Sequence, residues 1–166
     1  NVLSVDDFSG STGKWKNSKA INARLDVASP DDTISFIEST KPDEVWHLAA
    51  NAREGGSWFQ PQNVVARNSY GLINVLEGAI RGGKLKKFVF FSSMSVYGDL
   101  TPPFEEWMTP KPENVYAVSK HAGEQYVQLL SGLYDFEWVV VRPHNVFGQR
   151  VCREDRIRNV IAIFAN

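Results

Sequence analysis

The sequence lacks the features that define several common classes of protein. Its 166 residues include a single cysteine, Cys152, which excludes an internal disulfide framework and fits a reducing compartment. The formal net charge of −1 gives no electrostatic basis for binding nucleic acid or an anionic membrane. No apolar run is long enough to span a bilayer, and no secretory signal opens the chain. We therefore expect a cytoplasmic protein with neither a membrane nor a nucleic-acid partner.

Two further absences concern metal sites and the start of the chain. The three histidines, His47, His121 and His144, have no spacing that suits a metal ion, so no metal site is expected. The first residue is Asn1 rather than methionine and already begins an apolar run, so we expect a truncated sequence. The remaining composition, 43% hydrophobic and 22% charged, is that of a globular protein, and the length suits one domain.

Short apolar runs rich in β-branched residues alternate with helical patterns. Strands are predicted over 2–5, 21–25, 45–50, 87–93 and 136–142. Helices are predicted over 30–40, 62–80, 115–133 and 156–165. This alternation predicts an α/β domain with a mostly parallel sheet. Ligands of such sheets bind beyond the carboxyl ends of the strands, where we find Asp6, Ala49-Ala50, Ser92-Ser93 and Pro143-His144.

Tyr116 and Lys120 lie four residues apart in a predicted helix and therefore share one face. The lysine charge favours the phenolate and lowers a tyrosine pKa that is otherwise about 10. A serine of the neighbouring strand end, Ser92 or Ser93, can share the proton or hold a substrate hydroxyl, which gives a candidate Ser-Tyr-Lys acid/base unit. The alternative is an exposed tyrosine beside a solvated lysine, because this spacing also arises by chance.

Seven segments together resemble a known family. They are Val5-Asp6-Asp7-Phe8-Ser9, Leu25-Asp26-Val27, His47-Leu48-Ala49-Ala50, residues 68–77, residues 91–98, Tyr116-Ala117-Val118-Ser119-Lys120 and residues 142–148. In this order they resemble the extended short-chain dehydrogenase/reductases, and among these the NAD-dependent nucleotide-sugar epimerases of the UDP-glucose 4-epimerase type. The resemblance implies a Rossmann-like, doubly wound fold. Residues 1–150 would be a partial NAD-binding domain, and 151–166 the start of a truncated substrate-binding region.

The resemblance also implies a catalytic mechanism. Tyr116 would take the proton of a sugar hydroxyl while hydride passes to NAD, and Lys120 would lower the pKa of Tyr116 and bind the nicotinamide ribose. Ser93 would hydrogen-bond the reacting oxygen. The implied partners are a nucleotide sugar, UDP-linked, and a second copy of the chain that packs on the helices over 62–80 and 115–133.

Further residues match the cofactor site of the family. Asp6 matches the carboxylate that accepts hydrogen bonds from the adenosine ribose, and it would repel a 2′-phosphate, which favours NAD over NADP. The other cofactor residues implied by the resemblance are Asp7, Asp26, Val27, Leu48, Ala49, Ala50, Asn68, Ser92, Tyr116, Lys120 and Pro143. Asn145 and Ser93 match substrate-binding residues.

The sequence departs from the family at its start. The family opens with a strand, a Gly-x-x-Gly-x-x-Gly turn and a helix, whereas this chain begins at what matches the second strand. Residues 10–14 lack phosphate-loop spacing and are predicted to form a loop. In the strand order 3-2-1-4-5-6 the missing strand lies between those at 2–5 and 45–50. Either the chain is a fragment, another chain fills the gap, or the sheet closes up.

A second departure narrows the reaction. Family dehydratases carry Asp-Glu directly after the catalytic serine or threonine, and the decarboxylases carry a glutamate nearby. Met94 and Ser95 occupy these positions, which favours epimerisation or simple oxidoreduction. The sequence is therefore compatible with three functions: a nucleotide-sugar epimerase, a sugar or alcohol oxidoreductase of the same superfamily, and a non-catalytic remnant that binds no dinucleotide.

Overall fold

The structure, a computed structural model, describes residues 1–10, 16–52 and 56–146. Its strands are β1 (Leu3–Asp6), β2 (Ile21–Arg24), β3 (Glu44–His47), β4 (Lys87–Phe91) and β5 (Glu137–Val141). Its helices are α1 (Pro30–Thr40), α2 (Pro61–Val65), α3 (Gly71–Gly82) and α4 (Val115–Tyr134). A π-helical turn covers Ala66–Tyr70, and a 3₁₀ turn covers Met94–Tyr97. The helix predicted over 156–165 lies outside the described residues.

The strand pairs are parallel, as the alternation of strands and helices predicts. β1 pairs with β2, and the order β3-β4-β5 forms a second sheet. The α/β class and the parallel pairing are therefore confirmed. Within the described residues β1 and β3 belong to separate sheets, so the arrangement in which these two strands close up and pair directly is wrong.

β4 is the buried centre of the larger sheet. Phe88 and Phe90 are 0% and 1% exposed, and they pack in one cluster with Leu72 of α3 and Val127 of α4. Burying each phenylalanine contributes about 2 kcal/mol. Gly123 lets α4 approach closely, because a Cβ at this position would stand 2.5 Å from Phe90 Cζ. This packing places the first turns of α4 beside the carboxyl end of β4.

The ends of α4 follow from local chemistry. The Asn114 side chain accepts a hydrogen bond from the Ala117 N–H over 2.8 Å, which caps the start of the helix. Asp135 adopts a left-handed conformation with φ of 54° at its end. Among the residues that the structure describes, no helix has both the length and the apolar character needed to cross a membrane.

The helix predicted over 62–80 is confirmed in extent, because α2, the π turn at Ala66–Tyr70 and α3 follow one another without a break. The π turn inside this helix is the feature that the prediction did not include. Apolar spacing does not distinguish a π turn from the surrounding α-helix, because the wider turn accommodates only one extra residue. Arg67 and Asn68 both lie in this turn.

Candidate active site

The carboxyl ends of the strands carry the residues predicted to bind a ligand. Asp6 ends β1, while Ser92 and Ser93 follow β4. The remaining strand-end residues are Leu48, Ala49 and Ala50 after β3 and Pro143 after β5. The predicted strands at 45–50 and 87–93 end earlier than expected, at His47 and Phe91, so these residues lie in loops beyond the sheet.

Tyr116 and Lys120 are buried in the first turns of α4, with 8% and 3% of their surfaces exposed. Lys120 Nζ donates a hydrogen bond to the carbonyl oxygen of Phe91 over 2.7 Å and lies 5.0 Å from the centroid of the Phe90 ring. The same atom is 6.0 Å from the centroid of the Tyr116 ring. An exposed tyrosine beside a solvated lysine is therefore the wrong interpretation, and the structure holds a cation next to the phenol ring.

Burial controls protonation around Lys120. Desolvation lowers the pKa of Lys120 to about 8, because the charged ammonium is penalised away from water. His47, the last residue of β3, packs against the rings of Phe88 and Phe90, 6.1 Å from each centroid. Burial, and then the charge of Lys120, lower the pKa of His47 to about 3, so this imidazole is neutral near neutral pH.

Ser93 caps the start of the 3₁₀ turn that follows β4. Its Oγ accepts a hydrogen bond from the Ser95 N–H over 3.1 Å and donates to Ser95 Oγ over 3.1 Å. The next N–H, of Met94, donates to the carbonyl oxygen of Pro143 over 3.2 Å. The structure thereby joins the loop after β4 to the loop after β5, and it brings a predicted catalytic residue and a predicted cofactor residue together.

Glu124 forms a buried ion pair that the sequence reasoning did not find. Its carboxylate accepts hydrogen bonds from Arg142 Nε over 2.9 Å, from Arg142 Nη2 over 2.7 Å and from Ser92 Oγ over 2.5 Å. Burial alone would raise the pKa of Glu124, but these hydrogen bonds and the guanidinium charge hold it below its ordinary value. Arg142 Nη1 also donates to the Tyr97 hydroxyl over 2.9 Å. The network therefore connects α4 with the ends of β4 and β5, and it engages the Ser92 hydroxyl.

Asn68 lies in the π turn and is 2% exposed. Its amide nitrogen donates to Ser119 Oγ over 3.0 Å and to the Asn51 carbonyl over 3.2 Å, and its oxygen accepts from the Asn51 N–H over 2.7 Å. The Ser119 hydroxyl in turn donates to the carbonyl oxygen of Tyr116 over 2.7 Å. Asn68 thus links the loop after β3 to the backbone that carries Tyr116.

The acidic residues after β1 and β2 converge on Arg67, which the sequence reasoning also missed. Asp7 Oδ2 accepts from Arg67 Nη1 over 2.5 Å, and the Asp26 carboxylate accepts from Nη1 and Nη2 over 3.3 and 3.2 Å. Asp6, by contrast, is exposed, and its Oδ1 accepts from the N–H of Phe8 over 2.6 Å. Asp6 therefore presents its carboxylate to solvent, whereas Asp7 and Asp26 form ion pairs.

Two other predicted residues occupy the edges of this region. The carbonyl oxygen of Val27 accepts a hydrogen bond from Asn74 Nδ2 of α3 over 2.9 Å. Asn145 is exposed beyond β5, in a backbone conformation with φ of 31°. Residues 151–166, the predicted start of a substrate-binding region, lie outside the described residues, so that division of the chain stays a prediction.

A family model matches the chain along its whole length. The match covers residues 1–166 and describes the NAD dependent epimerase/dehydratase family. The chain belongs to this family. The dependence on NAD that the family description states agrees with the cofactor predicted from Asp6 and the motifs around Tyr116.

Individual members of the family support the same assignment. The UDP-glucose 4-epimerase of Mycolicibacterium smegmatis is 30% identical over 171 aligned positions, which cover 99% of this chain and 54% of that protein. The crystal structure of UDP-glucose 4-epimerase from Thermotoga maritima with UDP-glucose superimposes with a TM-score of 0.92 at 28% identity, over 99% of this chain and 53% of the other. The epimerase from Thermus thermophilus in complex with NAD gives a TM-score of 0.90 at the same identity and coverage. The Rossmann-like fold is therefore confirmed.

This chain spans about half the length of these epimerases, at 53% and 54%. Human dTDP-D-glucose 4,6-dehydratase is also 34% identical, over 77% of this chain and 37% of its own length. Epimerases and dehydratases are thus both related to the chain. Overall similarity therefore does not distinguish the two reactions, and the residues of the site are needed to do so.

Proposed function

We propose that this chain is the cofactor-binding and acid/base part of an NAD-dependent nucleotide-sugar epimerase. The observation that carries the proposal is the burial of Lys120 beside Tyr116, with its Nζ bonded to the end of β4 just before the predicted catalytic residue Ser93. A buried lysine of lowered pKa at the ligand-binding edge of a parallel sheet is typical of a functional site. The UDP-glucose 4-epimerases among its relatives favour a UDP-linked sugar.

The donor set at the strand ends fits NAD. Ala49 and Ala50 are small and half-buried, which permits close approach of a dinucleotide backbone. The exposed Asp6 carboxylate suits the two hydroxyls of a ribose. Lys120 suits the second ribose, next to Tyr116. These residues would hold the adenosine and nicotinamide ends of the cofactor.

In the proposed reaction Tyr116 takes the proton of a sugar hydroxyl, and Ser93 hydrogen-bonds the same oxygen. The ammonium of Lys120 favours the phenolate form of Tyr116, and its pKa of about 8 keeps it charged near neutral pH. NAD, when bound, supplies the hydride acceptor and returns the hydride. The sugar carbon loses a hydride and its oxygen loses a proton to give a ketone. Return of the hydride to the opposite face of that carbon, and of the proton to its oxygen, gives the epimer.

The residues after Ser93 favour epimerisation over dehydration. Met94 carries no acid or base, and Ser95 is hydrogen-bonded to Ser93. Neither supplies the carboxylate that a dehydration step requires. A second candidate is a sugar dehydrogenase, because GDP-6-deoxy-D-talose 4-dehydrogenase of Aggregatibacter actinomycetemcomitans is 34% identical over 77% of this chain. A net change in the absorbance of reduced nicotinamide during turnover would identify the dehydrogenase, since an epimerase regenerates its cofactor.

Tyr116→Phe tests the acid/base assignment. In a polypeptide that contains this chain and turns over a UDP-sugar, we expect a loss of turnover of about 10²–10⁴-fold with NAD still bound. Tyr134→Phe is the matched control, because Tyr134 is 55% exposed at the far end of the same helix. Near-normal turnover of Tyr116→Phe would refute the assignment. Failure of this chain to bind NAD in calorimetry would favour the non-catalytic alternative.

A homodimer through α4 is part of the proposal. Val118, Leu129 and Leu133 are 51%, 67% and 75% exposed. Their separations of 11 and 4 residues place them on one stripe of the helix. Burying such a stripe against a second copy removes apolar surface from water. We expect the wild-type chain to sediment as a dimer and Leu129→Lys to sediment as a monomer. A monomeric wild type would contradict the proposed homodimer.

A further inference from the structure

Arg67 connects three parts of the chain that are distant in sequence. It lies in the π turn, 60 residues from Asp7 and 41 residues from Asp26. Its Nη1 donates to Asp7, while Nη1 and Nη2 together donate to both oxygens of Asp26. Asp7 follows β1, and Asp26 follows β2 by two residues. One guanidinium therefore bridges the loops at the ends of two neighbouring parallel strands.

Negative charge is concentrated at this edge of the sheet. Asp6, Asp7 and Asp26 place three carboxylates there, and the diphosphate of a dinucleotide would add further negative charge. Burial raises the pKa of Asp7, but hydrogen bonds from Ser9 and the guanidinium of Arg67 hold it below its ordinary value, so Asp7 is an anion near neutral pH. Without Arg67, Asp7 and Asp26 would repel each other at close range.

Asp26 also determines the shape of the following loop. Its Oδ1 accepts from the Ala28 N–H over 3.0 Å, and its carbonyl oxygen accepts from Ser29 and from Thr33 Oγ1 at the start of α1. The fork of two hydrogen bonds from Arg67 fixes the plane of the same carboxylate. The position of the 26–27 segment relative to Asp6 therefore depends on Arg67.

We propose that Arg67 is a positioning residue for the adenosine half of NAD. The proposal rests on the proposed NAD-binding function, in which Asp6 receives the adenosine ribose and Asp26 and Val27, which match the adenine-contacting pair of the family, line the adenine. By bridging Asp7 and Asp26, Arg67 keeps the two loops at a fixed separation and offsets part of their negative charge. Lysine would supply the charge without the planar fork, so it would replace Arg67 only in part.

The test measures cofactor fragments separately. NAD, 5′-AMP and nicotinamide mononucleotide are titrated into the wild-type chain, Arg67→Gln and Arg67→Lys, by calorimetry for NAD and by NMR for the weaker fragments. Arg67→Gln should lose about tenfold in affinity for NAD and for 5′-AMP, as the loss of charge-assisted hydrogen bonds implies. Its affinity for nicotinamide mononucleotide should be unchanged. Arg67→Lys should lie between Arg67→Gln and the wild type.

Arg81→Gln is the matched control, because Arg81 is paired with Glu77 on the exposed face of α3. It removes the same charge and should leave all three affinities within about twofold of the wild type. An equal loss for both fragments would mean a general disturbance of the fold and would overturn the proposal. So would full affinity of both Arg67 variants for 5′-AMP, although the NAD-binding function would then stand. A wild-type chain that binds neither NAD nor 5′-AMP would remove the proposed site and the role of Arg67 with it.

Discussion

Replacing Lys120 with methionine should stabilise the fold at neutral pH, although it removes the cation from the site. Lys120 is 3% exposed, and burial lowers its pKa from 10.5 to about 8. This difference corresponds to about 3 kcal/mol of unfavourable free energy for the buried ammonium. Methionine removes that penalty but leaves the Phe91 carbonyl without its donor, which costs about 1 kcal/mol. We therefore expect a net gain of about 2 kcal/mol in the free energy of unfolding.

The pH dependence of this gain has a definite sign. Between the folded pKa of about 8 and the unfolded pKa of 10.5, the unfolded chain keeps the lysine proton and the folded chain loses it. The stability of the wild type therefore rises with pH across this window. The advantage of Lys120→Met should be complete below about pH 8 and should reverse near pH 10.5, where only the loss of the hydrogen bond to Phe91 remains and the variant is about 1 kcal/mol less stable.

Urea unfolding at about pH 7 and about pH 10 measures the effect. Lys86→Met is the control, because the Lys86 side chain is 77% exposed, and it should change stability by less than about 0.5 kcal/mol. If Lys120→Met is less stable than the wild type at the lower pH, or if the difference does not narrow at the higher pH, the burial argument is wrong. In a polypeptide that contains this chain and turns over a UDP-sugar, Lys120→Met should also reduce turnover. Stability and activity would then change in opposite directions.

Two further substitutions test the packing of α4 on β4. Glu124→Gln breaks a buried pair with Arg142 and should lower the free energy of unfolding by about 3 kcal/mol in urea at neutral pH, whereas Glu77→Gln in an exposed pair should cost less than about 1 kcal/mol. Because the pKa of Glu124 is lowered from its ordinary value of 4.5, this stabilisation is present above that value and disappears as pH falls through the folded pKa. The two proteins should therefore converge in stability in acid. Gly123→Ala should cost about 1–3 kcal/mol, since its Cβ would stand 2.5 Å from Phe90 Cζ, while Gly132→Ala on the same helix meets nothing within 4 Å and should be neutral or stabilising. Equal effects of the two glycine substitutions in thermal unfolding would contradict the close approach of α4 to β4.

Local chemistry explains why some elements could be predicted. The apolar run at 87–91 forms the buried β4, and α4 begins at Val115 as predicted, after the cap that Asn114 supplies. Strand ends were predicted too long, at Ala50 and Ser93, because apolar or small residues continue past the last strand hydrogen bond. An apolar pattern indicates which residues are buried, not which residues make strand hydrogen bonds. Residues at the end of a parallel sheet remain partly buried after the strand has ended.

The positioning contacts were not predictable, because they join residues that are far apart in sequence. Glu124 repeats the four-residue spacing of Tyr116 and Lys120, and this signal was available, but nothing in the sequence pairs it with Arg142. Arg67 stands in what reads as an ordinary helix, so neither its π turn nor its two carboxylate partners could be inferred. Such contacts depend on how helices and strand ends are placed in three dimensions.

The sequence by itself determined the family, the α/β class and the residue types of the candidate site, because its motifs occur in order along nearly the whole chain. Tertiary structure alone decided the electrostatics of that site. Burial against Phe90 lowers the pKa of Lys120, and it is packing, not spacing, that removes water from a charge. Packing likewise directs Asp7 and Asp26 toward Arg67 while Asp6 stays exposed, a distinction that three similar carboxylates do not reveal in sequence.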